Sequence, residues 1–255
     1  MTAQLEIKDL SLEFGGILAL SRVSMSVTQG QIQAVIGPNG AGKTSLFNCL
    51  SSVYHPTSGD ILFEGISLIH QRPHQIAQLG LARTFQNIEL FGHMNVIDNL
   101  LLGRHHRFRS GPFSGAVFWG KALGEEIRHR QKVEEIIEFL EIEKFRKKAV
   151  SALPYGVQKR VELGRALAME PKILLLDEPT AGMNVEETED IARFILDIKE
   201  EMRITIIMVE HDMGVVMDLA DWITVLNFGS KIAEGSPLDI QSNTEVIEAY
   251  LGKEE

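Results

Sequence analysis

Between Gly37 and Thr44 the chain reads GPNGAGKT, which fits the spacing G-x-x-x-x-G-K-[ST]. Glycines at these positions let a backbone fold around a phosphate with successive N–H groups pointing inward. A helix that follows presents its positive N-terminal end to the same anion. Lys43 is then placed to reach the β- and γ-phosphates, and the Thr44 hydroxyl to ligate Mg2+. The flanking residues suit this chemistry. QIQAVI before the loop reads as a short strand, and Lys43 to about Ser52 reads as a helix.

Further polar residues fall at the ends of apolar runs. KILLLDE is continuously apolar up to Asp177 and Glu178, as a fully buried parallel strand is. A carboxylate at the C-terminal edge of a sheet, beside a phosphate cradle, can hold Mg2+ through water. Asp177 is the candidate for that role. Glu178, one residue later, is the candidate to orient an attacking water. ITIIMVE is a second such run, and His211 follows it in VEHD, where it can touch a γ-phosphate and hold the water. Gln86, in RTFQN, is a candidate contact for Mg2+ or water. Each also has a blander reading: an acid at a helix start, a structural histidine, a surface glutamine. Their joint presence with the cradle favours the chemistry.

The elements that must position these residues follow from periodicity. Leu5 to Phe14 and Leu18 to Val27 alternate apolar and polar residues around a Gly15-Gly16 turn, and GDILFEG is another strand between glycines. NVIDNLLLG and EEIRHRQKVEEIIEFLEIEKF have helical spacing. VEETEDIARFILDIKEEM is an amphipathic helix. A short helix, two strands around Asn227–Gly229 and a helix from Glu245 to Leu251 complete the chain. Strands alternating with helices imply an α/β fold with a mostly parallel sheet. The N-terminal portion is antiparallel β. The expected division is a core of residues 1–86 and 166–255 with an inserted helical subdomain, 87–165.

The 255 residues carry a net charge of −10, which argues against nucleic acid as a partner. The densest basic stretch, RHHRFR from Arg104 to Arg109, reads as a solvated loop or a helix end. A single cysteine, Cys49, allows no disulfide within the chain and suits a reducing cytosol. The start MTAQLEIKDL lacks the pattern of a signal peptide, and no run approaches the ~20 apolar residues of a membrane helix. Work at a membrane is therefore expected to run through a partner.

Cradle, Gln86, the helix opening LPYGVQKR, the ILLLDE carboxylates and His211 stand in an order that resembles the ATP-binding subunit of ABC transporters. The resemblance runs from LEIKDLSLEFGG to EAYLG. It implies the P-loop ABC ATPase fold, with ATP and Mg2+ as cofactors. It further implies an ATP site formed by Phe14 stacking on adenine and by the Walker A residues Gly37, Pro38, Asn39, Gly40, Ala41, Gly42, Lys43, Thr44 and Ser45. Gln86 matches the Q-loop glutamine, Asp177 and Glu178 the Walker B aspartate and catalytic glutamate, and His211 the switch histidine. Catalysis would then rest on Glu178, His211, Gln86 and Lys43, and the metal on Thr44, Gln86 and Asp177. AGMN, Ala181 to Asn184, lies at the D-loop, where the last residue is commonly aspartate.

LPYGV, Leu153 to Val157, aligns with the family signature LSGGQ. In the family two subunits dimerise head to tail, and each signature helix closes over ATP held by the other. Leu153, Pro154, Tyr155 and Gly156 would thus serve the partner's nucleotide. Proline suits a helix start. What Pro154 removes is the serine hydroxyl, a hydrogen bond to a charged group worth about 1.5–3 kcal/mol. RTFQNIELFGHMNVIDNLLLG, FSGAVFWG, LPYGVQKRVELGRAL and EHDMGVVMDLAD are similar to the branch that serves branched-chain amino-acid importers. That branch implies two permeases, a second and different ATP-binding subunit, an extracytoplasmic binding protein and a place on the cytoplasmic face of the membrane. A homodimer, a urea or amide importer and a non-transport ATPase of the same family remain as alternatives. The permease groove is expected on the surface of Asn87 to Lys148, with residues 107–120 either a permease contact or a packed loop.

Overall fold

The computed structural model describes residues 3–107 and 121–251. Phe108 to Gly120, most of the expected 107–120 insertion, lies outside the described residues.

Two sheets form the scaffold. The first is antiparallel. Strands β1 (Ala3–Phe14) and β2 (Ile17–Thr28) are joined by Gly15 and Gly16, whose positive φ values of 53° and 88° close a tight hairpin turn at no side-chain penalty. With β4 (Ser58–Phe63) and β5 (Ile66–Ser67) the order is β2-β1-β4-β5. The second sheet holds β3 (Ile32–Ile36), β6 (Leu81–Arg83), β7 (Ile173–Asp177), β8 (Thr205–Val209), β9 (Trp222–Asn227) and β10 (Ser230–Gly235). Its order is β10-β9-β3-β8-β7-β6, with β10 antiparallel to β9 and the remaining pairs parallel. Strands β3, β7 and β8 are buried at every position, as their predominantly apolar runs demand.

Alternate residues of these strands face opposite ways. Ile32, Ala34, Leu174, Leu176, Ile206 and Met208 join one apolar cluster, together with Leu100, Val133, Ile136, Leu163 and Phe194 from the helices. Val35, Ile173, Leu175, Ile207 and Val209 join the other, with the antiparallel sheet and helix α1 (Lys43–Leu50). Among the described residues the remaining α-helices are α2 (Pro73–Leu79), α3 (Val96–Gly103), α4 (Lys121–Phe139), α5 (Tyr155–Leu167), α6 (Val185–Met202), α7 (Met213–Leu219), α8 (Pro237–Gln241) and α9 (Thr244–Leu251). Of these, α2 and α8, like the three-residue β6, are too short to show a period in sequence.

Two expectations need correction. The helical reading of Glu125 to Phe145 overshoots: α4 ends at Phe139 and a separate 3-10 turn spans Glu143–Phe145. Glu141 adopts φ 56°, and the reversal buries both Leu140 and Ile142 completely. In a continued helix those two would point about 160° apart. The basic run is a helix end, following α3, in which His105 and Arg107 are exposed but Arg104 is not. Arg104 is buried, donating from Nε to His129 Nδ1 (2.7 Å) and from Nη1 to Ala168 O (2.9 Å), and it pairs with Glu170 at 3.0 Å. Arg107 donates to Met169 O at 3.0 Å. Both cations thus sit on carbonyls just past the C-terminus of α5, where the helix dipole is negative.

Candidate phosphate and metal site

Strand β8 lies between β3 and β7 in the parallel sheet, so the C-terminal ends of all three open side by side. That edge is where ligands bind in such sheets. The loop Gly37–Gly42 leaves β3, Asp177 ends β7, and His211 follows β8 closely.

Gly37 holds φ 149°, and a Cβ there would sit 2.0 Å from Leu226 O. Gly42, at φ 100°, is the N-cap of α1; a Cβ on it would meet Ala19 O at 2.7 Å. No side chain caps this helix start, so its first N–H groups are left for another acceptor. Lys43 is buried and curls over the loop, donating to Gly37 O at 2.6 Å and Pro38 O at 3.2 Å. Burial pushes its pKa below the usual lysine value, and the charges of Glu178 and Asp177 act in the opposite sense. Asn39, Gly40 and Thr44 are exposed, and Pro38 and Ser45 half-buried, while Ala41 is buried and accepts from Gly229 N at 3.0 Å. Phe14, at the end of β1, is exposed and meets Tyr54 edge-on at 5.0 Å and 75°. Tyr54 is a second aromatic that periodicity alone does not flag.

Asp177 is pinned from below. Arg83, the last residue of β6, reaches Asp177 Oδ2 with Nη2 at 2.6 Å, and each side chain is 6% exposed. Its Nη1 donates to Asn48 Oδ1 and Ser51 Oγ, both at 2.8 Å, and the guanidinium lies 5.0 Å from the Phe85 ring and 5.6 Å from that of Phe47. The arginine therefore ties β6, α1 and β7 together under the carboxylate. One carboxylate and the Thr44 hydroxyl are a donor set that fits Mg2+, which keeps waters and takes phosphate oxygens for the rest of its shell.

Glu178 sits one residue on, with its backbone in the left-handed region at φ 50°. That conformation costs an L-residue about 1–2 kcal/mol. It is held by Glu178 N donating to Val209 O at 2.9 Å. The carboxylate lies between two distant side chains: Gln86 Nε2 donates to Oε2 at 2.8 Å, and His211 Nε2 is 2.9 Å from Oε1. Beneath them Glu210, 3% exposed, accepts from Thr180 N at 3.0 Å and His211 N at 2.8 Å, and from the Thr180 hydroxyl. The structure thus brings Lys43, Asp177, Glu178, Gln86 and His211 to one edge. Sequence reasoning passed over Arg83 and Glu210, although both stand inside runs already singled out, RTFQN and VEHD.

The helix that opens with LPYGVQKR is α5, and Pro154 is its N-cap, with φ −55° and ψ 153° and no side-chain bond. Leu153 is buried beneath it. Tyr155, 42% exposed, donates its hydroxyl to Ala181 O at 3.1 Å. Gly156 is buried, and a Cβ there would meet Glu187 Oε1 at 2.4 Å, so a larger residue would displace the Glu187 side chain. Glu187 belongs to a capping box with Asn184, the N-cap of α6. An asparagine at this D-loop position thus has a local job, accepting from Glu187 N at 2.9 Å.

Comparison with known proteins gives a consistent picture. The profile of the ABC transporter family matches residues 20–181. A second profile, for branched-chain amino acid ATP-binding cassette transporters, matches residues 230–255. The chain is 38% identical over 249 residues to the high-affinity branched-chain amino acid transport ATP-binding protein BraF of Pseudomonas aeruginosa, covering 98% of both chains. It is 40% identical over 252 residues to the high-affinity branched-chain amino acid transport ATP-binding protein LivG of Escherichia coli, again covering 98% of both. Among solved structures, a nucleotide-free ATP-binding cassette from an ABC transporter superposes with a TM-score of 0.86 at 31% identity, over 99% of this chain and 100% of that one. The ADP conformation of an ATP-binding cassette of an ABC transporter gives 0.85 at 30% identity over 99% of this chain and 100% of that one.

Proposed function

The chain belongs to the ABC transporter ATP-binding family, and we propose that it is the ATP-hydrolysing subunit of an importer for branched-chain or other hydrophobic amino acids. The observation that carries the hydrolytic part is the meeting of Gln86, Glu178 and His211 at the sheet edge that also presents Lys43 and Asp177. The likeness to branched-chain amino acid transport proteins over the full chain supports the substrate class.

The division of labour follows from the geometry. The loop Gly37–Ser45 wraps the phosphates, with the uncapped N–H groups of α1 and the Lys43 ammonium facing them. Lys43 exchanges the carbonyls of Gly37 and Pro38 for phosphate oxygens, and a bound anion raises the pKa that burial lowers. Phe14 offers its exposed ring to adenine. Thr44 and Asp177, with Gln86 at the loop beside them, would hold Mg2+, which when bound neutralises the charge developing between the β- and γ-phosphates. Glu178 accepts the proton side of the attacking water. Its two oxygens are already oriented by Gln86 and His211, and each keeps a second lone pair for that bond.

In this reading two cassettes close head to tail, and Leu153, Pro154, Tyr155 and Gly156 of each meet the nucleotide of the other. Pro154 lacks the hydroxyl, so the clamp on the partner's nucleotide is weakened while this chain's own site is complete. A different second ATP-binding subunit fits that asymmetry. The division into a core of residues 1–86 and 166–255 and a helical part of 87–165 puts α5 across the join. A groove of about 630 Å³, lined among others by Pro73, Ile76, Phe85, Leu102 and Met169, is where the permease docks. It draws on α2 and α5 as well as α3, and so reaches beyond the surface of Asn87 to Lys148. Among the described residues no helix is long and apolar enough to cross a membrane, so attachment to the cytoplasmic face runs through that groove.

The test is to tag the chain, purify it from gently solubilised membranes, and identify its companions by mass spectrometry. Two permeases and a second ATP-binding subunit are the expected result. A chain that comes alone, or with ribosomes, removes the transporter reading.

A further inference from the structure

One face of α5 grips the loop that carries Gln86. Lys159, Glu162 and Arg165 are spaced three residues apart and so line one side of the helix. Lys159 Nζ donates to Gln86 O at 3.0 Å and to Phe85 O at 3.4 Å. Glu162 Oε1 accepts from Phe85 N at 3.4 Å, while its Oε2 lies 3.5 Å from Lys159 Nζ. Arg165 Nη1 donates to Glu89 O. Helix packing does not require this arrangement, because the neighbouring Val161 and Leu163 already fill the core. Lys159 and Glu162 are 4% and 2% exposed, and a buried ion pair is commonly no more stabilising than an apolar pair of the same size. What these charges accomplish is to hold main chain, and the main chain they hold belongs to Phe85 and Gln86.

Both ends of this linkage reach sites of chemistry. The N-terminus of α5, at Pro154 to Gly156, lies little more than one turn before Lys159. At the other end the Gln86 side chain donates to Glu178 Oε2 at 2.8 Å. An unbroken series of contacts thus runs from the start of α5 to the candidate base.

We infer that Lys159 and Glu162 are positioning residues that make the start of α5 and Gln86 one moving unit. Engagement of α5 by the partner's nucleotide then sets the aim of Gln86 on Glu178 in this chain's own site. The inference rests on the head-to-tail reading given above.

The test is a double-mutant cycle on the full chain. Lys159→Met with Glu162→Leu removes both charges together and leaves no unpaired buried charge. The pair is expected to melt within a few degrees of the parent and to keep its KM for ATP. Its kcat should fall about tenfold, the effect of a lost positioning hydrogen bond. Amide exchange across Phe85–Glu89 should quicken. In a Gln86→Ala background the same pair should change kcat no further. An unchanged kcat in the folded pair, or a full tenfold loss on top of Gln86→Ala, overturns the inference. If the pair does not fold, the cycle is run with Glu162→Gln, where additivity with Gln86→Ala again overturns it and non-additivity supports it. A parent chain that hydrolyses no ATP sinks the functional reading instead, which separates the two failures.

Discussion

Asp177 and Glu178 are neighbours in the chain and opposites in environment. Asp177 is buried and fixed by a guanidinium that is itself bonded to α1. The Glu178 carboxylate, 16% exposed, is held by two side chains that arrive from loops, Gln86 and His211, the latter 43% exposed. The first arrangement is a floor, in which Arg83 and Asn48 sit on a strand and a helix of the scaffold. The second is a mouth, whose partners move whenever their loops move. A metal carboxylate gains from rigid placement, whereas a base that must act only in a closed assembly gains from adjustable partners. The difference between the two regions is therefore one of what each is free to do.

Substitutions that strike one region and spare the other test the contrast. Glu178→Gln is expected to reduce ATP turnover by at least about a hundredfold while nucleotide binding persists, because only the proton acceptor is lost. Steady-state hydrolysis read beside equilibrium binding checks it; normal turnover would remove Glu178 from the role. Arg83→Met should act mainly on the fold. It leaves a buried carboxylate without its partner, at about 3–5 kcal/mol, which is a melting temperature lower by roughly 10 °C. A variant that melts with the parent would mean the floor is not held by this pair. Pro154→Ser should strengthen the partner's nucleotide site about tenfold and leave nucleotide binding at this chain's own Gly37–Thr44 loop unchanged, as site-specific nucleotide trapping in the paired complex would reveal. Because Pro154 is an N-cap without a side-chain bond, serine should also add about 1 kcal/mol to the stability of the isolated chain.

The smallest effect concerns Cys49, far from either region in chemistry. Burial pushes its thiol up to about 12 from 9.0. The folded chain therefore keeps a proton that the unfolded chain releases, so this group's contribution to stability falls as pH rises above about 9 and levels off near 12. Alkylation at mildly alkaline pH should be negligible in the folded protein and fast in urea. Rapid modification without denaturant would contradict the burial.

The sequence alone determined the parts whose causes are local. A glycine pattern that admits left-handed backbone and a close carbonyl marks the loop at Gly37–Gly42. Alternation marks β1 and β2, unbroken apolar runs mark β7 and β8, and an amphipathic repeat marks α6. Each depends on sterics or period within some ten residues, so each is written in a window of that length. The resemblance to ABC cassettes was legible for the same reason, since its motifs are such windows in a fixed order. Tertiary structure alone decided which side chains meet. Arg83 finds Asp177 and Gln86 finds Glu178 across more than ninety residues of chain, and Arg104 becomes a buried helix cap in place of a solvated cation. Those partnerships are set by the strand order β3-β8-β7-β6 and by where α5 crosses it, and no short window encodes the order of a parallel sheet, because its neighbours are joined by long crossovers.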